Sequence, residues 1–503
     1  MKRRQLLATG AALTTGLLAS GCSTLDGALP VAAGAPQAPA IPREFRGAWV
    51  ATVANIDWPS KRTLTTPEAQ AEVRATVQRA ASLGLNALVL QVRTSADAFF
   101  PSPLEPWSEY LTGTQGQAPD PAWDPLALWI HEAHAAGLEL HAWFNPYRAR
   151  QTNAQSAQHP SHLSQTQPGW VKSYGKQLWI DPGEPAAAAH TLAVFRDVLR
   201  RYPVDALHID DYFYPYPEKD ANGAEIDFPD DDSWQRHGVA TGLSRADWRR
   251  DNVDRLVKAM FELTREVRPG TRLGISPFGL MKPADRPPGI VGFSQYDKLY
   301  ADVERWLREG WLDYLVPQLY WPRAQVPQAF GPLLQGWMGL NPQGRHIWPG
   351  LFTSRINDTP QSWQPDEITG QIALTRELNP NSGHVHFSMV ALNQNRKGVS
   401  DALRSTSYPA PALPPATPWI TEDRPPPLRL WQVKPDGGSP RWSLATPDNA
   451  APSRAWLWWR VQGQWRGQLI GPSLFDWPDG ADTLVASAIG RTGLEGPRGA
   501  WSR

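Results

Sequence analysis

In the middle of the chain, segments whose hydrophobic residues recur with the period of a helix alternate with short apolar segments typical of strands. Stretches with helical periodicity end at a glycine or proline, and a short apolar run follows each of them. The pattern predicts helices over 67–83, 126–136, 186–202, 247–267 and 300–309, and strands over 45–53, 85–90, 138–144, 206–210, 272–277, 314–320, 347–352 and 385–390. Eight apolar strands that alternate with helices predict an α/β fold of the (β/α)8 TIM-barrel type. A doubly wound open sheet is the alternative, but no glycine-rich phosphate loop follows any predicted strand.

Polar and aromatic residues cluster where the predicted strands end. In a barrel, the loops after the strands meet at one mouth, where active sites lie. Aromatic rings stack on sugar rings, and amides and carboxylates hold hydroxyl groups, so this mixture predicts a polysaccharide substrate. The candidate substrate-binding residues are Trp49, Asp57, Trp58, Arg93, Asp97, Asn145, Tyr147, Arg148, His208, Tyr212, Ser276, Gln318, Tyr320 and Trp321.

The strongest local signal is the pair Asp210-Asp211 at the end of the fourth predicted strand. With a side-chain period of two, His208 and Asp210 face the barrel interior, and Asp211 is the first residue beyond the strand. Two adjacent carboxyl groups do not both ionise easily, so one keeps a proton that it can give to a leaving oxygen. Glycoside hydrolysis needs such an acid beside a charged partner, and we therefore predict that Asp210 and Asp211 are catalytic. A structural pair that caps backbone amides or holds a cation is the alternative.

Several long motifs follow one another in order over about residues 43–405. They comprise 44–53, 55–59, 91–93, 97–99, 142–148, 208–215, 248–253, 274–279 and 317–321. This series resembles the bacterial family-10-like glycosyl hydrolase lipoproteins. The resemblance implies a TIM-barrel glycosidase of the cell envelope that hydrolyses O-glycosyl bonds. At least one branch of that family is understood to cut peptidoglycan glycan strands stripped of their stem peptides, and such strands are the substrate that we expect.

Two mechanisms fit the acid pair. If the substrate carries a 2-acetamido group, that group can attack its own anomeric carbon. Asp210 would then orient the acetamido group, and Asp211 would act as general acid and later as base. In the conventional alternative, one of the two is the acid and another carboxylate at the mouth, such as Asp97, is its partner. The alternative function is a non-catalytic envelope lipoprotein that only binds glycan.

The N-terminus predicts export and a lipid anchor. A basic start, Lys2 to Arg4, precedes an apolar stretch over 6–19 that is too short to span a bilayer and is typical of a signal peptide, here 1–21. The paired arginines also fit twin-arginine export. Cys22, the only cysteine, follows small residues as in the lipidation site of bacterial lipoproteins, and it begins an Ala/Pro-rich tether over 22–42. We expect a periplasm-facing lipoprotein of the outer membrane. An ordinary signal peptide with a chance cysteine is the alternative.

The composition excludes some classes of binding partner, and the C-terminal sequence predicts a second domain. With 49 basic and 49 acidic side chains the chain has no net charge, which argues against nucleic-acid binding. One cysteine excludes a cysteine-built zinc site, and His384 with His386 lacks a third ligand, so neither a metal nor a cofactor is predicted. The barrel is expected over 43–405, and a proline-rich linker over 406–427 leads to a domain over 428–503. Short Trp- and Val-rich runs in that domain predict an immunoglobulin- or fibronectin-III-like β-sandwich.

Overall fold

The computed structural model of the chain describes residues 36–379, 383–434 and 438–502. The predicted signal peptide, Cys22 and most of the predicted tether lie outside the described residues. None of the helices within these ranges combines the length and the apolar character that a bilayer-spanning segment needs.

Eight parallel strands form a closed barrel. The strands are β1 (Phe45–Val50), β2 (Ala87–Arg93), β3 (Glu139–Phe144), β4 (Ala206–Ile209), β5 (Arg272–Ile275), β6 (Tyr314–Leu315), β7 in two segments (His346–Ile347 and Gly350–Leu351) and β8 (Gly383–His386). Their hydrogen-bonded order is the first segment of β7, then β6, β5, β4, β3, β2, β1, β8 and the second segment of β7. The sheet closes because the two segments of β7 form its two edges, with only Trp348 and Pro349 between them. The α/β TIM barrel expected from the hydrophobic pattern is thereby confirmed.

Helices connect successive strands and pack on the outside of the barrel. They are α1 (Thr66–Leu83), α2 (Pro125–Ala135), α3 (Pro185–Arg201), α4 (Arg245–Val267), α5 (Val303–Glu309), α6 (Phe330–Gly339) and α7 (Pro365–Leu378). Shorter helices span Glu109–Thr112, Leu163–Thr166, Asp231–Ser233, Gln295–Lys298, Met389–Asn393 and Val399–Ala402. Local sequence sets the ends of α1, because Thr65 and Glu68 form a capping box before it and Gly84 stops it with a left-handed φ of 85°.

Two strands are shorter than the apolar runs that predict them. The run over 314–320 gives only β6 and then single bridges at Gln318, because Pro317 has no backbone N–H to add to the ladder. The run over 385–390 ends as a strand at His386, and Met389 already begins the next helix. Apolar character alone does not distinguish a buried strand from a buried strand-to-helix junction.

A small antiparallel sheet stands in the loop region after β3. Its strands, in order across the sheet, are Arg148–Arg150, Gln177–Ile180 and Val171–Tyr174. Arg148 pairs with Trp179 in this sheet, which fixes the backbone of Arg148 just beyond the carboxyl end of β3.

The C-terminal region forms a small β domain of two antiparallel sheets. The first sheet pairs β9 (Arg429–Val433) with β10 (Arg441–Ala445), and the second contains β11 (Ala455–Val461), β12 (Gln464–Ile470), β13 (Ala481–Ala488) and β14 (Gly499–Ser502). The order in the second sheet is β12-β11-β13-β14, and Phe475 adds one bridge to Trp442 of β10. Leu430, Trp442, Leu457 and Leu484 pack between the sheets, which is the layered arrangement of the predicted immunoglobulin-type sandwich.

The β domain is docked on the end of the barrel where the strands begin. Arg454, directly before β11, forms an ion pair with Glu139 at the start of β3, with 3.2 Å between Nη1 and Oε1. Arg491 donates hydrogen bonds to the backbone oxygens of Pro203 and Val204, just before β4. The mouth at the carboxyl ends of the strands therefore lies on the opposite side of the barrel from the β domain.

The proline-rich stretch predicted as a linker is packed against the barrel and is not a free spacer. Leu413 is buried, and its backbone exchanges hydrogen bonds with Pro42 and Glu44. The indole N–H of Trp419 donates to Asp313 Oδ1 over 2.9 Å. The stretch is therefore part of the interface between the barrel and the β domain.

Candidate active site

A cavity of about 480 Å³ opens at the carboxyl ends of the barrel strands. Active sites of barrel enzymes lie at this end. Side chains from the first six strands, from the loops after them and from the residue that follows the eighth strand meet there. Eight of the residues predicted from the sequence line the cavity, namely Trp49, Arg148, Asp210, Asp211, Tyr212, Ser276, Gln318 and Tyr320.

Further aromatic and amide side chains that the sequence analysis did not single out also line the cavity. Gln91 and Trp143 are neighbours across the ladder between β2 and β3. Strict alternation of side chains along these strands would have identified both of them. Tyr216, Phe278 and Phe387 contribute three more rings to the wall. Tyr216 stands in an irregular loop without periodicity, so the sequence offers no comparable signal for it.

Asp210 follows directly on β4, and its carboxyl group is buried at the edge of the cavity. Asn145 Nδ2 donates to its Oδ1 over 3.2 Å, whereas its Oδ2 accepts no hydrogen bond from any described residue. Burial raises the pKa of Asp210 to about 7, the negative charge of Asp211 adds to the rise, and Arg148 opposes it. Asp210 therefore holds a proton up to nearly neutral pH.

Asp211 is equally buried but is better supplied with hydrogen bonds. The Tyr216 hydroxyl donates to its Oδ2. Burial raises the pKa of Asp211, while contacts with Tyr216 and Gln318 act in the opposite direction. Because the two carboxyl groups interact, one proton belongs to the pair as a whole. The hydrogen bonds favour the charge on Asp211 and the proton on Asp210.

A directed chain of hydrogen bonds runs through the barrel interior beneath the cavity. The Trp49 indole N–H donates to His208 Nε2 over 3.2 Å, so the proton of this neutral imidazole is on Nδ1, which donates to the Tyr314 hydroxyl over 3.1 Å. The Tyr314 O–H then donates to His141 Nδ1 over 2.8 Å, and His141 Nε2–H donates to Glu139 Oε2 over 3.2 Å. An indole only donates and a carboxylate only accepts, so both ends impose the same direction on the chain.

Burial and two arginines determine which groups of this hydrogen-bond chain are charged. Burial lowers the pKa of His141 and of His208, which keeps both rings neutral. Burial alone would raise the pKa of Glu139. Arg272, whose Nη2 is 2.6 Å from Glu139 Oε2, and Arg454 of the β domain instead hold the pKa of Glu139 well below its usual range. His208, predicted as a substrate or orienting group, does not line the cavity, and its Nε2 lies within hydrogen-bond distance of Trp49 Nε1 and Ser276 Oγ, which belong to two lining residues.

Asp57 and Trp58, which were predicted to bind substrate, are structural instead. Trp58 is 1% exposed, and its indole N–H donates to the backbone oxygen of Ala69 over 3.2 Å. Asp57 accepts the backbone N–H of Ala51 over 2.7 Å and that of Val390 over 2.6 Å. The two residues join the loop after β1 to α1 and to the segment after β8, and neither lines the cavity.

The side chains of Arg93 and Asp97 are likewise buried and form hydrogen bonds or ion pairs within the protein. Arg93 forms a two-pronged, fully buried ion pair with Glu105, with 2.8 Å from Nε to Oε2 and 2.5 Å from Nη2 to Oε1. Asp97 Oδ1 accepts the backbone N–H groups of Thr94 over 3.0 Å and of Ser95 over 2.8 Å, which closes its own loop. Neither side chain lines the cavity, so Asp97 is not placed to be the partner of a catalytic acid.

Three more of the predicted residues do not line the cavity. Asn145 supports Asp210 and also accepts two backbone N–H groups of its own loop. Tyr147 is buried, and its hydroxyl has no hydrogen-bond partner among the described residues. Trp321 packs edge-on against Phe278, with 5.7 Å between the ring centroids. Asn145 and Trp321 therefore contact residues that line the cavity, whereas Tyr147 belongs to the hydrophobic core.

Within the described ranges, no group of three or more His, Cys, Asp or Glu side chains is arranged to hold a metal ion. His384 and His386 both contact the hydroxyl of Tyr408. In the acidic loop after β4, Asp227 forms an ion pair with Arg249 at 2.7 Å, so its carboxylate is already balanced.

Comparison with known proteins places the chain in a family. Among solved structures, the PgaB (BpsB) glycoside hydrolase domain from Bordetella bronchiseptica aligns at a TM-score of 0.48 and 12% identity, covering 73% of this chain and 98% of that one. Glycosyl hydrolase YngK of Bacillus subtilis (strain 168) is 40% identical over 406 residues, which is 78% of each chain. Glycosyl hydrolase DigH of Escherichia coli (strain K12) is 31% identical over 386 residues, covering 71% of this chain and 86% of DigH. The family described as glycosyl hydrolase-like 10 matches residues 44–366, and this match, with the two relatives, shows that the chain belongs to the glycosyl hydrolase-like 10 family.

Proposed function

We propose that this protein is a glycosidase of the bacterial cell envelope that hydrolyses O-glycosyl bonds in peptidoglycan glycan strands without stem peptides. The observation that carries the proposal is the buried carboxyl pair, Asp210 and Asp211, in a cavity with aromatic walls. One proton shared by two carboxyl groups supplies a general acid and a charged partner together. Membership in a glycosyl hydrolase family supports the same reaction class.

The number of carboxylates in the cavity favours a substrate-assisted route. Among the described residues, Asp210 and Asp211 are the only carboxylates that line it. Conventional glycosidases use two carboxyl groups that flank the scissile bond. Consecutive residues approach the sugar together, so the nucleophile must come from elsewhere. A 2-acetamido group on the substrate supplies it, because its carbonyl oxygen reaches the neighbouring anomeric carbon.

In this route the two carboxyl groups have different roles. The acetamido oxygen attacks the anomeric carbon while protonated Asp210 gives its proton to the leaving oxygen, and the glycosidic C–O bond breaks. Ionised Asp211 accepts the acetamido N–H and stabilises the cyclic cation. Water then attacks the anomeric carbon, its proton returns to Asp210, and the acetamido group is restored. These roles reverse those suggested by the sequence, because the Tyr216 hydroxyl donates to Asp211 Oδ2, whereas Asp210 Oδ2 has no hydrogen-bond partner among the described residues.

The proposed location follows from the sequence of the N-terminus. We propose that Cys22 carries a lipid and that the protein faces the periplasm from the outer membrane, after export directed by residues 1–21. Metabolic labelling with a radioactive fatty acid tests this directly. The full chain should incorporate label, Cys22→Ser should not, and equal labelling of both would contradict the proposal.

The activity is tested by incubating the purified protein with glycan strands from which all stem peptides have been removed, and by mass spectrometry of the products. We expect shorter glycan fragments, each with one new reducing end. Binding of the strands without any fragments would instead support the non-catalytic glycan-binding lipoprotein. Strands that have also lost their N-acetyl groups should resist cleavage. If they are cut at an unchanged rate, the substrate-assisted route is wrong while the glycosidase activity stands.

A further inference from the structure

Arg148 is a buried cation with an unusual set of partners. Its backbone N–H donates to Asn145 Oδ1 over 2.8 Å, and the side chain is 3% exposed at the cavity wall. The guanidinium lies over the Tyr212 ring, 3.8 Å from the centroid. In the amide orientation that satisfies both groups, the Gln151 side-chain oxygen lies 2.6 Å from Nη1, 2.7 Å from Nε and 3.2 Å from Nη2, and it accepts from all three. Its closest acceptor is thus a neutral amide.

The other buried arginines of the described ranges all have a carboxylate partner. The pairs are Arg46 with Glu44, Arg93 with Glu105, Arg249 with Asp230 and Arg272 with Glu139. Arg148 has no carboxylate within ion-pair distance among the described residues, although it faces Asp210 and Asp211 closely enough to influence both. The guanidinium has five N–H donors, and its side-chain partners, Gln151 and Tyr212, are both neutral, so its charge is left for an anion to balance.

We propose that Arg148 binds the free lactyl carboxylate of an N-acetylmuramic acid residue, and that this contact makes the site selective for strands without stem peptides. The inference rests on the proposed function, because only removal of the peptide exposes that carboxylate. A lactyl group joined to a peptide ends in a neutral amide and cannot form a charge-assisted pair. The planar guanidinium matches a carboxylate with two parallel hydrogen bonds, which a lysine cannot reproduce.

The chemistry of the sugar agrees with the position of Arg148 beside the acid pair. The acetamido group is on C2 and the lactyl ether is on C3 of the same ring, so the two substituents are attached to adjacent carbons. If Asp211 accepts the acetamido N–H, the lactyl carboxylate of that sugar is held on the same side of the cavity, toward Arg148. The sugar whose anomeric carbon reacts is then N-acetylmuramic acid. The new reducing ends should therefore be muramic acid residues.

Substrates that differ only in this carboxylate test the proposal. Denuded strands are compared with the same strands after their lactyl carboxyl groups have been converted to methylamides, and kcat/KM is measured for both. We expect the wild type to prefer the carboxylate form by about 10-fold or more, the usual range for a charge-assisted hydrogen-bonded pair. In Arg148→Gln the rates on both substrates fall, and the preference falls to about 1. Arg148→Lys should keep an intermediate preference, and it provides the test if Arg148→Gln does not fold.

A matched control is Arg150→Gln in the same short strand. Arg150 is half-buried, donates to the backbone oxygen of Ser156 and is not among the residues that line the cavity, so the substrate preference should stay at the wild-type value. If the wild type cuts neither substrate, the proposed function and this inference both fail. Equal cleavage of both substrates by the wild type overturns only the role of Arg148. A preference that survives in Arg148→Gln while the pH profile shifts also overturns it, and assigns Arg148 to the ionisation of the acid pair alone.

Discussion

Replacement of Tyr314 by phenylalanine tests the directed hydrogen-bond chain in the barrel interior. Tyr314 is fully buried, and its hydroxyl accepts from His208 and donates to His141. Removal of the hydroxyl leaves one N–H donor and one nitrogen acceptor without partners in a dry interior. Each such loss destabilises a protein by about 1–3 kcal/mol, so we expect the free energy of unfolding to fall by about 3 kcal/mol. The midpoint of urea denaturation, followed by circular dichroism, measures this change.

The matched control is Tyr147→Phe. Tyr147 is also buried, but its hydroxyl has no hydrogen-bond partner among the described residues, so its removal should be neutral or slightly stabilising. A second readout is the proton position on His208, because ¹⁵N NMR of labelled histidine should show Nδ1 protonated and Nε2 bare. If Tyr314→Phe and Tyr147→Phe have equal stability, or if His208 carries its proton on Nε2, the hydrogen-bond chain does not run from Trp49 to Glu139 as described.

Three further outcomes follow from the buried charges. Folding raises the pKa of Asp210 to about 7, so the folded protein holds this group neutral at pH values where the unfolded chain ionises it, and stability falls as the pH rises from about 4 to about 7. Differential scanning calorimetry should find Asp210→Asn more stable than the wild type at pH 8 and no more stable at pH 4. The same ionisation removes the acid, so kcat/KM on denuded strands should decline above pH 7, and a flat profile to pH 9 would contradict the assigned proton. Arg93→Met should lower the free energy of unfolding by about 3–5 kcal/mol because buried Glu105 loses the guanidinium and keeps only His190. The double change Arg93→Met with Glu105→Leu should recover most of the loss in urea denaturation, and no recovery would show that the charge is not the cause.

The barrel is predictable from the sequence because its strands are buried on both faces. Every residue of β2 is buried, for example, so the strand is visible as a nearly continuous apolar run. The interruption of β7 at Trp348 and Pro349 is not visible in this way, since apolar residues continue through it. Closure of the sheet through the two halves of one strand is a tertiary feature that no local pattern specifies.

The candidate site is only partly predictable, because a polar residue at the end of a strand has two ways to satisfy its polar atoms. Gln318 turns into the cavity, whereas Asp97 turns back and binds the backbone of its own loop. Which of these occurs depends on the path of the loop, and one sequence does not specify that path. Tyr216 shows the converse: the loop after β4 brings it back to Asp211, and no periodicity marks it.

The central claim is that Asp210 and Asp211 form the hydrolytic site, and the most direct test is the rate of reducing-end release from denuded glycan strands. Wild type, Asp210→Asn, Asp211→Asn and the control Asp232→Asn, which alters a largely exposed carboxylate of the loop after β4, are compared at pH 6 after each has been shown to be folded. We expect wild-type rates for Asp232→Asn and losses of about 100-fold or more for Asp210→Asn and for Asp211→Asn. Wild-type rates in Asp210→Asn and Asp211→Asn would contradict it.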